Sequence, residues 1–140
     1  MKERKPTLAD RCNNPLNIRF NPANQWRGQT GEHRGFCVFK SKAYGMRAAY
    51  VLITNYIKNG YNTIESIVGR WAPPSENDTE NYIHIVTEET LIPRDLTLTD
   101  NSIHDYWTKL MILRAMAKVE CGHDYEEQTI NLYINYPEKY

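Results

Sequence analysis

The sequence predicts an α+β domain in which a small antiparallel β-lobe precedes a mainly helical bundle. Two observations set this expectation. Residues 13–39 are rich in Asn, Gly and Pro and hold only short runs of β-type residues, Asn17-Ile18-Arg19-Phe20 and Gly35-Phe36-Cys37-Val38-Phe39. From residue 43 onward apolar side chains recur at helical spacing, punctuated by Gly and Pro stops.

The elements follow in order. Residues 1–10 read as a charged, loose lead-in, with a short helical turn near residues 7–11. Turns at Asn21-Pro22 and at Gly31 divide the β-lobe. A helix over 43–58 carries Met46, Ala49, Tyr50, Ile53 and Ile57 and stops at Asn59-Gly60. Thr63 caps a second helix through Trp71, which Pro73-Pro74 ends. The run Glu76-Asn77-Asp78-Thr79 starts a third, over 79–89. A linker over 92–100 contains Pro93. Asp100 then opens the longest helix, with Ile103, Tyr106, Trp107, Leu110, Leu113 and Ala117 on one stripe, and Gly122 stops it. A last helix over 126–133 closes a single domain spanning 1–140.

Composition narrows the function. At 140 residues the chain is long enough for one core but not two. With 17 basic and 17 acidic side chains it lacks the electrostatic footprint of a nucleic-acid binder. No apolar run approaches the roughly 20 residues that cross a bilayer, so membrane insertion is not expected. Met1-Lys2-Glu3-Arg4-Lys5-Pro6 has the charge of a signal peptide's first segment, but no apolar segment follows. Synthesis in the cytoplasm without a signal peptide is the expectation. Cys12, Cys37 and Cys121 form no CxxC pair and read as free thiols. His33, His84, His104 and His123 have no metal spacing. No metal or cofactor is expected.

One carboxylate stands out. Arg114-Ala115-Met116-Ala117-Lys118-Val119-Glu120-Cys121-Gly122 places Glu120 in the last turn of an apolar, small-residue helix. Partial desolvation there would raise its pKa toward that of a general acid working near neutrality. The same stretch also reads as an ordinary helix end with a surface glutamate before a glycine cap.

Two segments carry a resemblance. The first comprises Asn13-Asn14-Pro15-Leu16-Asn17-Ile18-Arg19, then Trp26-Arg27-Gly28-Gln29, then the run from Phe36 to Ala49. The second runs Arg70-Trp71-Ala72-Pro73-Pro74-Ser75-Glu76-Asn77-Asp78-Thr79-Glu80-Asn81-Tyr82-Ile83. Together, from Arg11 to Gly122, they resemble a family of phages and mobile elements of Bacteroides-type and other bacteria, whose members carry the label of virion structural protein with a lysozyme-like domain. The resemblance implies a lysozyme-like fold.

A more distant resemblance, to flagellar-type glucosaminidases and lytic transglycosylases, implies the chemistry. Asn14-Pro15-Leu16-Asn17-Ile18-Arg19, Trp26-Arg27-Gly28, Glu32 and Phe36-Cys37-Val38-Phe39 follow that family's order. The acid-bearing helix that opens the family's pattern is missing ahead of Asn13. Ala115–Gly122 resembles it at the other end of the chain, as a circular permutation would arrange it.

The resemblance implies a glycosidase that cleaves the glycan strands of peptidoglycan. Glu120 would be the acid. Glu32 would be the second carboxylate, stabilising the oxocarbenium-like transition state or orienting a water, with Glu76 in reserve. If Glu32 is only a turn residue, a lytic transglycosylase needs one acid/base alone. Trp26, Tyr44, Trp71 and Tyr82 are the sugar platforms, and Asn14 and Asn17 the partners for N-acetyl groups, although Trp71 also reads as core and both asparagines as turn residues. Arg19 and Arg47 read as partners of carboxylates. Two other readings stand beside the enzyme: a non-catalytic lysozyme-like virion or wall-binding protein, and an inhibitor or accessory protein. Phage-particle or secretion-machine components are the partners that either wall-directed reading implies for delivery.

Overall fold

The computed structural model describes residues 6–140. The expected lead-in falls partly on residues 1–5, outside the described residues. Its remainder is ordered: Thr7 and Asp10 form a capping box on α1 (Leu8–Arg11), and Ala9 is buried.

The β-lobe is a single antiparallel hairpin of β1 (Gln29–His33) and β2 (Phe36–Phe39). Its turn is Arg34-Gly35, both at positive φ, the pairing that two-residue hairpins favour. This moves two expected features. Gly31 lies within β1 opposite Val38, at a bulge, instead of in a turn. Residues 17–20 are not a strand and touch the sheet only through an Arg19–Phe36 bridge, because Asn17 is left-handed at φ 52° and breaks the extended run.

The helices are α2 (Lys42–Lys58), α3 (Ile64–Trp71), α4 (Thr79–Thr90), α5 (Ile103–Cys121) and α6 (Glu127–Asn135), and Pro137–Lys139 adds a final 3₁₀ turn. Ser41, Thr63, Asp78 and Ser102 cap α2 to α5, each accepting an amide hydrogen bond from the third helical residue. The longest helix therefore starts after Ser102, not at Asp100. Ile103, expected on its buried stripe, is 73% exposed.

α5 is the central element, packed against α4, α6 and α2, and from Lys109 to Ala117 it is buried on most of its circumference. Met46, Ile53, Ile64, Ile67, Leu113 and Ile130 fill the core around it. Gly45 of α2 lets the loop before β1 sit directly on that helix, since a Cβ there would collide with the Asn13 carbonyl and the Pro15 ring. The hairpin and its leading loop thus rest on the bundle as one α+β unit.

Candidate active site

The site is built on residues 13–19, a loop held by buried polar bonds. Asn14 is fully buried. Its amide donates to the carbonyls of Ile18 and Cys37, both at 3.0 Å, and its carbonyl accepts from the Ile18 amide at 2.9 Å. The Trp71 indole donates to the Leu16 carbonyl at 2.9 Å, and Asn13 donates to the Phe39 carbonyl at 3.1 Å. The loop backbone is thereby fixed to β2 and α3, with left-handed φ at Asn13 and Asn17.

Asn17 crosses from this loop to the end of α5. Its side-chain amide donates to Glu120 Oε1 at 2.9 Å and to the Glu120 carbonyl at 3.1 Å. The Tyr82 hydroxyl, from α4, donates to Glu120 Oε2 at 3.0 Å. Each carboxyl oxygen therefore receives one neutral donor. Gly122, left-handed at φ 76°, ends the helix and returns its amide to the Lys118 carbonyl.

Burial pushes the Glu120 carboxyl above the usual glutamate range, and the bonds from Asn17 and Tyr82 and the charge of Arg19 oppose this without cancelling it. Tyr82 is pushed well above the ordinary phenol range by burial and then by the neighbouring Glu120. Its proton therefore stays on the phenol, and Tyr82 acts as a hydrogen-bond donor. A half-buried carboxyl whose affinity for a proton is raised by burial and moderated by neutral donors suits general acid/base chemistry.

Asn17 also lines a groove of about 370 Å³ with Arg19, Phe20, Tyr56, Arg70 and Trp71. A second hollow of about 460 Å³, walled by Trp26, Gln29 and Gly31, shares Phe20, Pro22 and Asn24 with the first. The two hollows adjoin through those shared residues as a cleft that Asn17 lines and Glu120 itself does not.

The other expected site residues are placed differently. Glu32 is exposed on β1, and its carboxylate accepts the Gly35 amide at 2.9 Å, closing its own hairpin turn. Glu76 pairs with Arg19 at 2.9 Å, both side chains more than half exposed. Asn14 has committed its side chain to the backbone and holds the loop instead of meeting an N-acetyl group. Tyr44 is buried beneath Gly28, with Arg27 and Lys40 over its ring, and has no open face for a sugar. Tyr82 is buried and aimed at Glu120. Trp26 and Trp71 remain half-buried on the cleft.

Arg19 pairs with a carboxylate as its position implied, whereas Arg47 forms no ion pair among the described residues. The pairing of Asn17 and Tyr82 with Glu120, across 103 and 38 residues of sequence, had no local signal. Tyr56 and Arg70 on the cleft wall were also not anticipated.

Cys12 and Cys37 are buried thiols that burial holds above the usual range, and Cys121 is buried as well. Among the described residues no three His, Cys, Asp or Glu side chains cluster as metal ligands, and no helix is long and apolar enough to cross a membrane.

Fold and site together define a small α+β protein in which a half-buried glutamate at the end of α5 is bonded to Asn17, a residue lining a surface hollow. No protein-family model matches the chain. It is 42% identical over 120 residues to "Protein P5" of Pseudoalteromonas phage PM2, an alignment that covers 80% of this chain and 69% of the phage protein. The chain belongs to the family of that bacteriophage protein.

Proposed function

We propose that this protein cleaves the glycan strands of peptidoglycan by lytic transglycosylation, with Glu120 as acid and then base. The observation that carries the reading is the environment of Glu120: desolvated, bonded by two neutral donors, and joined through Asn17 to adjoining hollows lined by Trp71 and Trp26.

Protonated Glu120 gives its proton to the glycosidic oxygen as the bond from that oxygen to C1 breaks. The carboxylate then takes the proton of the same sugar's C6 hydroxyl, whose oxygen bonds to C1. One glycosidic bond is lost, an anhydro ring forms, the carboxyl is regenerated and no water is consumed. A hydrolase using Glu32 as a second carboxylate fits less well, because Glu32 is committed to its turn and the groups acting on Glu120 are two neutral donors and an arginine.

Spatial order supports the lysozyme-like, permuted reading. The acid-bearing helix precedes the Asn-Pro-Leu-Asn-Ile segment in the glucosaminidase pattern and lies at the far end of the chain here. Yet its end meets the start of that segment in space, through His123 on Asp10 at 3.0 Å and Asn17 on Glu120. The family's phage member suits an enzyme delivered to the wall in a particle or after release from the cell.

The test is incubation of purified protein with sacculi beside Glu120→Gln and Glu32→Gln. Wild type and Glu32→Gln should release anhydro-ended muropeptides, each one water lighter than a hydrolase product. Glu120→Gln should lose about 10²–10⁴-fold in rate. Sedimentation with sacculi without released fragments would replace the enzyme with a wall-binding virion component.

A further inference from the structure

We infer that Arg70 makes the cleft selective for a carboxylate carried on the sugar strand, an inference that rests on the glycan reading above. Two arginines line the hollow beside Asn17, and their states differ. Arg19 is already bonded to Glu76. Arg70 forms no ion pair among the described residues, and no Asp or Glu lines that hollow with it.

Arg70 is nevertheless held in place. Its guanidinium lies 4.6 Å from the Tyr61 ring centroid and 5.5 Å from that of Tyr56, and one of its nitrogens donates to the Tyr61 hydroxyl at 3.3 Å. The two tyrosines hold the exposed guanidinium through their rings and hydroxyls, and no carboxylate takes its remaining N–H groups among the described residues. A planar fork fixed in this way loses little freedom on meeting a carboxylate and matches that group with two parallel hydrogen bonds.

The aromatic wall of Trp71 and Phe20 offers surfaces for sugar faces, so a strand in the hollow would present its substituents to Arg70. The substituent that fits is an anionic one. In a wall polymer this carboxylate is the lactyl group of a bare muramoyl residue or a carboxylate of the peptide attached to it. A strand of neutral N-acetylglucosamine has neither.

Calorimetric titration into Glu120→Gln, which should leave strands uncut, separates these cases. The probes are an N-acetylglucosamine hexamer, a bare alternating muramoyl hexamer and a peptide-bearing muramoyl hexamer. The parent should bind at least one carboxylate-bearing strand about tenfold or more tightly than the neutral one, and the stronger of the two identifies the source. Adding Arg70→Gln should abolish the preference and leave neutral-strand affinity unchanged, while Arg70→Lys should retain part of it. Equal weakening of all three probes by Arg70→Gln would make Arg70 a brace of the cleft and overturn the inference. Binding that ignores Arg70 overturns it too, and both outcomes leave the glycan reading standing. Absence of binding by every probe overturns both together.

Discussion

α5 buries an ionisable side chain near each end, and the two resolve burial in opposite ways. Lys109, in the second turn, is 2% exposed. Its ammonium donates to Asp100 Oδ1 at 2.5 Å, Thr54 Oγ1 at 3.0 Å and the Tyr50 hydroxyl at 3.2 Å, with the Tyr50 ring beneath it. Three N–H groups meet three acceptors, one of them an anion. Glu120, eleven residues and about 16 Å of helix further on, has two neutral donors and no bonded cation. A charge fully matched inside the protein has nothing left for a ligand. A carboxyl that is desolvated and bonded only by neutral donors is pushed above its ordinary pKa. The first arrangement ties the linker before α5 to α2, and the second ties the end of α5 to the loop that carries Asn17 and to Tyr82 of α4.

The largest expected effect breaks the Lys109 end. Lys109→Ala would remove the ammonium bonded to Asp100 and two hydroxyls in a part-buried site, leaving the carboxylate the more distant and exposed Lys58 at 3.8 Å, a loss of about 3–5 kcal/mol in urea unfolding. Glu120→Gln, which keeps a polar group of the same shape, should cost no more than about 1 kcal/mol in the same measurement. Similar costs at both positions would erase the distinction between a structural ion and a functional one.

Next in size is Asn14→Ala, which removes the three buried bonds that hold the loop. A loss of about 2–4 kcal/mol is expected, accompanied by loss of the proposed activity because Asn17 would no longer be held on Glu120. Retained activity in a destabilised protein would show that Asn17 reaches the acid without the loop's help.

How far these arrangements were legible depends on their range. The Glu120 end was readable because a glycine stop and a small-residue helix are local signals. The role of Asp100 was not: aspartate is a good helix cap, so the sequence placed the helix start there, but its carboxylate serves Lys109 and Ser102 caps instead. Lys109 itself gave no sign of burial, since only the tertiary packing of α2 and the linker surrounds it. Gly31 misled similarly, because a glycine in a bulge and a glycine in a turn look alike in sequence. Tyr82 and Asn17 show the same limit of range, since their bonds to Glu120 cross 38 and 103 residues of sequence. Both were read as groups for sugar, and in the structure both bond the Glu120 carboxyl.

Tyr82→Phe sharpens the Glu120 side. The hydroxyl donates to the carboxylate and so favours its charged form. Without it the proton should be held to still higher pH, and the alkaline limb of the kcat/KM profile, which reports the free enzyme's acid, should move upward. Asn17→Gly, which removes the other donor while accommodating the left-handed φ, should move it the same way. An unchanged or lowered limb in both variants would mean that Glu120 is not the titrating acid.

The smallest effect is thermodynamic and concerns Glu120 alone. Its folded carboxyl titrates above the ordinary glutamate value, so between those two values the native state binds more protons than the unfolded chain. Stability must then fall as pH rises through that window. The favourable contribution is complete below the ordinary value and is lost once pH passes the folded one. Glutamine cannot titrate, so the stability of wild type relative to Glu120→Gln should decline across the window and be flat on either side. Parallel stability curves for wild type and Glu120→Gln from acid to neutral pH would place Glu120 in an ordinary solvated environment, and the contrast between the two ends of α5 would fail.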